Sequence, residues 1–201
     1  KGAADRLEEL VQQPGQKRRD HLETLVSMHE RLLNLDQARH WIAEWKTISP
    51  GNPAPWLREG DLLRGAGKFD EAEEVLRRAA HRFDDQPQIQ VELAKISLAA
   101  GKTEQAERLF WRLYEDEDDP ARKIGWVQNL AQIAQMTGRQ EVLEQQFLER
   151  RQGNRKSVEP LLALAEVRAV LHDRDGSRQY LMEALELQPD NHTLLLRIAS
   201  E

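Results

Sequence analysis

Small and apolar residues recur along this chain at helical spacing, and the whole pattern returns every 34 residues. Ala38, Ala72 and Ala106 mark the period at one position; Leu76 and Phe110 mark it at another. Inside each period the apolar residues stand three or four apart, as in Leu22, Leu25 and Val26 or Leu161, Leu164 and Ala165. That spacing is the stripe of an amphipathic helix. Each period holds two such stripes, so the predicted unit is a pair of antiparallel helices, and the predicted fold is all-α.

The register predicts a single array over residues 1–201. Whole repeats are expected at 19–52, 53–86, 87–120, 124–157 and 158–191. Residues 1–18 fit the second helix of a truncated repeat, and 192–201 fit the first helix of a following one. Both ends look like cut edges of a longer array. Leu7, Leu10, Leu194, Leu195 and Ile198 are therefore expected to be partly exposed or in contact with another molecule.

Particular residues have physical reasons to stand where they do. Gly60, Ala94, Ala131 and Ala165 fall where two helices cross, and a large side chain would hold the helices apart. Gly67, Gly101 and Gly138 fall at the end of a first helix, where a left-handed residue is wanted. Asp70 is expected to start the helix after Gly67, with acidic residues in its first turn. Asp119–Pro120 predicts an N-cap and a first-turn proline of a lengthened helix, which absorbs the three residues 121–123. Three departures are visible: Glu59 where a large apolar residue is usual, Arg150 in place of a small one, and His172 in place of the turn glycine.

Together these residues resemble the tetratricopeptide repeat family, most closely in the stretch WLREGDLLRGAGKFDEAEEVLRRAA from Trp56 to Ala80. The resemblance implies a right-handed α-solenoid of antiparallel helix pairs that binds other proteins and catalyses nothing.

Composition narrows the possibilities. The chain carries 35 acidic and 29 basic residues, a net charge of -6, which disfavours nucleic acid as a partner. There is no cysteine, so disulfides, thiolate metal sites and a cysteine nucleophile are excluded. No apolar run is long enough to insert in a membrane.

Several motifs look chemical and are not. Leu63–Lys68 and Leu98–Thr103 have the Gly-Lys of a phosphate loop, but Leu62 and Ile96 stand where its first glycine belongs. No two histidines stand four apart, so a helical zinc pair is absent from the sequence. His172–Ser177 has the aspartates of a calcium loop, yet the closing carboxylate position is Ala184. No nucleophile–base spacing is found. No catalytic residue, metal site or cofactor is expected.

In the family the first helices line a groove. Carried over position by position, this implies a weakly acidic trough holding Asp20, Glu23, Glu30, Asp61, Arg64, Lys95, Gln128, Gln132 and Glu166. Trp111, Tyr114 and Trp126 flank the acidic stretch Glu115–Asp119 and suggest a convex docking patch; packing beneath the lengthened helix is the alternative. Chaperone-binding members hold a C-terminal carboxylate with a lysine–asparagine clamp, and Glu23 and Ser27 stand at the first two clamp places here, which speaks against that role. The expected function is a protein–protein scaffold. Arg, Gln, Leu and Trp without cysteine resemble the periplasmic repeat arrays of PelB-type exopolysaccharide exporters. That resemblance implies a periplasmic segment of an envelope protein, with a polysaccharide-modifying enzyme as partner and a cationic polymer nearby. The alternatives are a polymer-guiding surface and a cytoplasmic adaptor for a basic peptide.

Overall fold

The computed structural model describes Glu9 and residues 17–83 and 86–200. Among the described residues there are eleven helices and no strand. Leu7, Leu10 and the truncated repeat expected at 1–18 lie almost wholly outside the described residues. The chain divides into two units, Lys1–Lys102 and Thr103–Glu201.

The first unit holds α1 (Lys17–Arg31), α2 (Leu35–Ile48), α3 (Ala54–Gly65), α4 (Phe69–Arg82) and α5 (Pro87–Ala99). Helices α1 and α2 pack as one hairpin, α3 and α4 as the next, and α5 lies against both α3 and α4. Leu22, Leu25, Val26, Ala38, Ile42, Leu63, Ala72, Leu76 and Ala79 are wholly buried between them. At the α3–α4 crossing, a Cβ on Gly60 would stand 2.9 Å from Leu76 Cγ, so only glycine allows this approach.

The second unit holds α6 (Thr103–Asp116), α7 (Pro120–Thr137), α8 (Gln140–Gly153), α9 (Glu159–Val170), α10 (Arg174–Leu187) and α11 (His192–Ser200). Helix α7 runs for 18 residues and begins as the sequence predicts. Asp119 is its N-cap, its carboxylate accepting from the amides of Ala121 at 2.8 Å and Arg122 at 3.3 Å, with Pro120 following. Asp173, part of the calcium-loop lookalike, is likewise an N-cap and accepts from the Gly176 amide at 3.0 Å.

The turns explain the glycines. Gly67, Gly101 and Gly138 have φ of 72°, 74° and 68°. His172 takes the same conformation at φ 60°, as does Leu33 at φ 55°. A left-handed L-residue costs roughly 1–2 kcal/mol, and the 91% exposed Leu33 side chain recovers little of it by packing. Leu33→Gly is therefore expected to stabilise the first unit by about 0.5–1 kcal/mol, after allowing for glycine's extra unfolded-state freedom. Urea unfolding of the two chains measures the difference.

Two local expectations need correction. Helix α4 starts at Phe69 with Lys68 as N-cap and no side-chain cap bond, so Asp70 sits inside the first turn. Its carboxylate is turned to Lys102, at 3.0 Å, rather than to a free amide. Leu194 is only 3% exposed, because the inward stripe of α11 seats it against Leu161, Ala165, Leu181 and Ala184. Leu195 on the opposite side is exposed and Ile198 is half-buried, as expected.

Glu59, the acidic residue in an apolar place, is 9% exposed and held by Lys46 and by Arg39 at 3.4 Å. Lys46 in turn lies 3.7 Å above the Trp56 ring. A buried charge survives here because two cations from α2 reach it.

Candidate functional site

In the first unit side chains of α1, α3 and α5 meet around a cavity of about 550 Å³. Ala54, Leu57 and Trp45 supply its apolar wall. The charged lining is balanced: Glu23, Asp61 and Glu92 against Arg58, Arg64 and Lys95. Of the residues predicted from sequence, Glu23, Asp61, Arg64 and Lys95 come together here. Asp20 is exposed on α1 and does not line the cavity.

The expected acidity is cancelled by pairing. Arg58 from α3 reaches back to Glu30 on α1 and donates to Ser27 Oγ at 3.2 Å. Arg64 pairs with Asp61 one turn earlier, and Lys95 with Glu92 at 2.7 Å. Burial pushes the Glu30 carboxyl up; Arg58 pulls it down, and the neighbouring Asp61 adds to the rise. Arg58 is the residue that sequence reasoning missed. It sits beside Leu57, yet its length carries the guanidinium across to the preceding pair. Trp45 is 4% exposed and so belongs to the core, yet it is also wall.

Three N–H donors around this cavity find no acceptor: Trp45 Nε1, Arg58 Nε and Arg64 Nε are buried and unpaired. A buried donor without a partner costs roughly 1–3 kcal/mol.

In the second unit, Gln128 and Gln132 are exposed on α7. Glu166 is not available as a groove carboxylate. It is 6% exposed, accepting from Gln128 Nε2 at 2.7 Å and paired with Arg197 of α11.

The aromatic patch proves to be half core. Tyr114 is 2% exposed, because Phe147 packs against it at 5.6 Å and Glu159 accepts its hydroxyl at 2.8 Å. This corrects its expected place on a docking face. Burial, then Glu159, raises the Tyr114 phenol well above the usual range. Trp126 is partly buried beside Phe110 at 6.3 Å. Trp111 remains half-exposed, with the Arg150 guanidinium 4.9 Å from its ring, and it lines two surface hollows of about 470 and 560 Å³. Arg150, the unusual residue at a small-residue place, also pairs with Glu115 at 2.8 Å.

Burial acts to raise the Glu159 carboxyl, but hydrogen bonds from Lys123 at 2.9 Å and from Tyr114 hold it below its ordinary 4.5. Unfolding therefore takes up a proton in acid. The stabilisation is complete above the ordinary value and is lost as pH falls through the depressed one. Glu159→Gln is expected to flatten the decline in stability between about pH 5 and 3, as read by urea unfolding across that range.

Residues 63–123 match the family model for the tetratricopeptide repeat. Solved structures share the fold. A tetratricopeptide repeat protein from Parabacteroides merdae ATCC 43184 is 18% identical, with a TM-score of 0.54, and the match covers 89% of this chain and 70% of that one. YrrB, described as a tetratricopeptide repeat protein with an unusual peptide-binding site, is 14% identical with a TM-score of 0.50, covering 99% and 100%. Yeast Tom70 is 15% identical with a TM-score of 0.54, covering 94% of this chain and 44% of Tom70. No curated relative matches the chain. Over residues 63–123 in sequence, and along most of the chain in fold, the protein is similar to tetratricopeptide repeat proteins.

Proposed function

We propose, taking the tetratricopeptide repeat fold as premise, that this chain is a non-enzymatic docking scaffold whose α1–α3–α5 cavity receives a segment of a partner protein. The observation that carries this is the cavity itself: about 550 Å³, apolar on one wall and charged on the others. A protein segment offers apolar and polar groups together, and so suits both walls. A cationic polymer is a poorer match, since Glu30, Asp61 and Glu166 are already paired with Arg58, Arg64 and Arg197. Our finer reading, a periplasmic segment of a PelB-type exporter that recruits a polysaccharide-modifying enzyme, is supported by the Arg-, Gln-, Leu- and Trp-rich composition without cysteine.

The test is affinity capture from a bacterial envelope fraction with two variants, each checked for unchanged thermal unfolding. Leu57→Asp/Arg64→Glu is expected to lose the captured protein at least about tenfold, and Trp111→Ala to retain it. Loss only in the Trp111 variant moves docking to the α6–α8 surface. Capture of a carbohydrate-active enzyme supports the exporter reading, and capture of cytoplasmic proteins alone refutes it.

A further inference from the structure

We infer that this chain self-associates through the turn between α1 and α2, Leu33 of each copy seating in an apolar hollow of the other. The contact is separate from the α1–α3–α5 cavity; of the two linings only Asp61 is shared.

Leu33 occupies the place that Gly67 holds 34 residues later, and it takes the same left-handed backbone, φ 55° against 72°. The turn closes α1 with two hydrogen bonds: the Leu33 amide donates to the Glu30 carbonyl at 2.9 Å and the Asn34 amide to the His29 carbonyl at 2.8 Å. Glycine meets that geometry without strain, and leucine does not. Packing returns little for it, since Leu33 is 91% exposed and Leu32 beside it is 66% exposed. Two neighbouring leucines in water, one on a strained backbone, do not serve the isolated fold. Strain and exposed apolar surface together mark a binding position.

Leu33 stands at the rim of a hollow of about 500 Å³ between the C-terminal ends of α1 and α3. Leu35, Leu62, Gly65 and Ala66 make its apolar part, and Glu30 and Asp61 are its charged lining. Glu30 is paired with Arg58 and Asp61 with Arg64, so two such hollows can approach without net repulsion. Each pair engages one carboxylate oxygen, Glu30 Oε2 and Asp61 Oδ1, and leaves the other as an acceptor. Arg31, exposed two residues before Leu33, forms no ion pair among the described residues. Carried with Leu33 to the other copy's hollow, its guanidinium meets those oxygens. The occupant this hollow calls for is a leucine with a cation close by, and the chain's own Arg31–Leu33 supplies both. A knob and a hole on one surface are self-complementary about a two-fold axis, each copy giving and receiving the same contact. The patch is small, and interfaces below about 1,200 Å² belong to weak, transient pairs.

Sedimentation equilibrium of the whole chain over a concentration series is the test. The mean mass is expected to rise from 23.2 kDa toward twice that value, with a dissociation constant on the order of 100 μM. L33G is expected to remain monomeric while denaturing at higher urea, which separates the lost contact from a lost fold. R31E is expected to weaken association at least about tenfold. Leu57→Asp, which alters the α1–α3–α5 cavity, is expected to leave the mass rise intact. The chain has no cysteine, so L32C carries a single thiol and M136C, at a 66% exposed position, another. Mild oxidation is expected to give a covalent dimer of the first and to leave the second monomeric. A monomer at every concentration overturns the proposal, as does association unchanged in L33G or equal cross-linking in M136C. Association lost in folded Leu57→Asp, or in folded Leu196→Asp on the exposed side of α11, places the contact elsewhere and also overturns it. A monomer whose affinity capture of a protein is lost in L33G assigns the hollow to another protein and overturns the second copy. None of these outcomes decides the docking reading, which the capture variants of the α1–α3–α5 cavity test separately.

Discussion

Phe147→Ala is expected to destabilise the second unit by about 3–5 kcal/mol, the range for truncating a wholly buried aromatic ring. Phe147 on α8 is 0% exposed. It meets Trp111 at 5.3 Å and Tyr114 at 5.6 Å, both on α6, so one ring fills the space between two second helices. Removing it leaves a cavity that cannot collapse readily. Tyr114 is tied through its hydroxyl to Glu159, and Trp111 lies beneath Arg150. Relaxation into the void would break those contacts, which keeps the cost high in its range. Urea unfolding followed by tryptophan fluorescence measures it. A loss below about 1 kcal/mol would show that Arg150 and the surface, rather than the ring, hold α6 to α8.

Gly60→Leu is expected to cost the first unit about 3 kcal/mol, and Gly60→Ala about 1 kcal/mol. The added Cβ falls 2.9 Å from both Leu76 Cγ and Cδ2, and Leu76 is wholly buried and has nowhere to swing. Overpacking costs about 1–3 kcal/mol, and a replaced helical glycine returns somewhat under about 1 kcal/mol. For alanine the second offsets only part of the first. For leucine three more carbons must enter the crossing, so α3 has to move off α4. Helix α3 carries Leu57, Arg58, Asp61 and Arg64 of the cavity, so the leucine variant is also expected to lose the captured partner protein even where it remains folded. Denaturation midpoints of both variants, with affinity capture by each, are the check.

The packing rules of this fold were legible in the sequence because they are local or strictly periodic. Small residues at the crossings, glycines at left-handed turns and Asp119–Pro120 at a helix start each follow from backbone sterics and orphan amides, which need no knowledge of neighbours. The site was legible only in outline. Position along a first helix predicted that Glu23, Asp61, Arg64 and Lys95 would share a cavity. It did not predict the charge the cavity presents.

That charge was decided by long side chains reaching between helix pairs. Arg58 meets Glu30 across 28 residues and Arg197 meets Glu166 across 31, distances along the chain that no helical periodicity encodes. Tyr114 left the surface because a phenylalanine 33 residues later and a glutamate 45 residues later closed over it. By itself the sequence determined the helices, their pairing and where glycine must stand, since those depend on each residue's own conformation and its immediate neighbours. Only the tertiary structure decided which charges are cancelled and which donors remain, since a salt bridge depends on where two flexible ends meet in space.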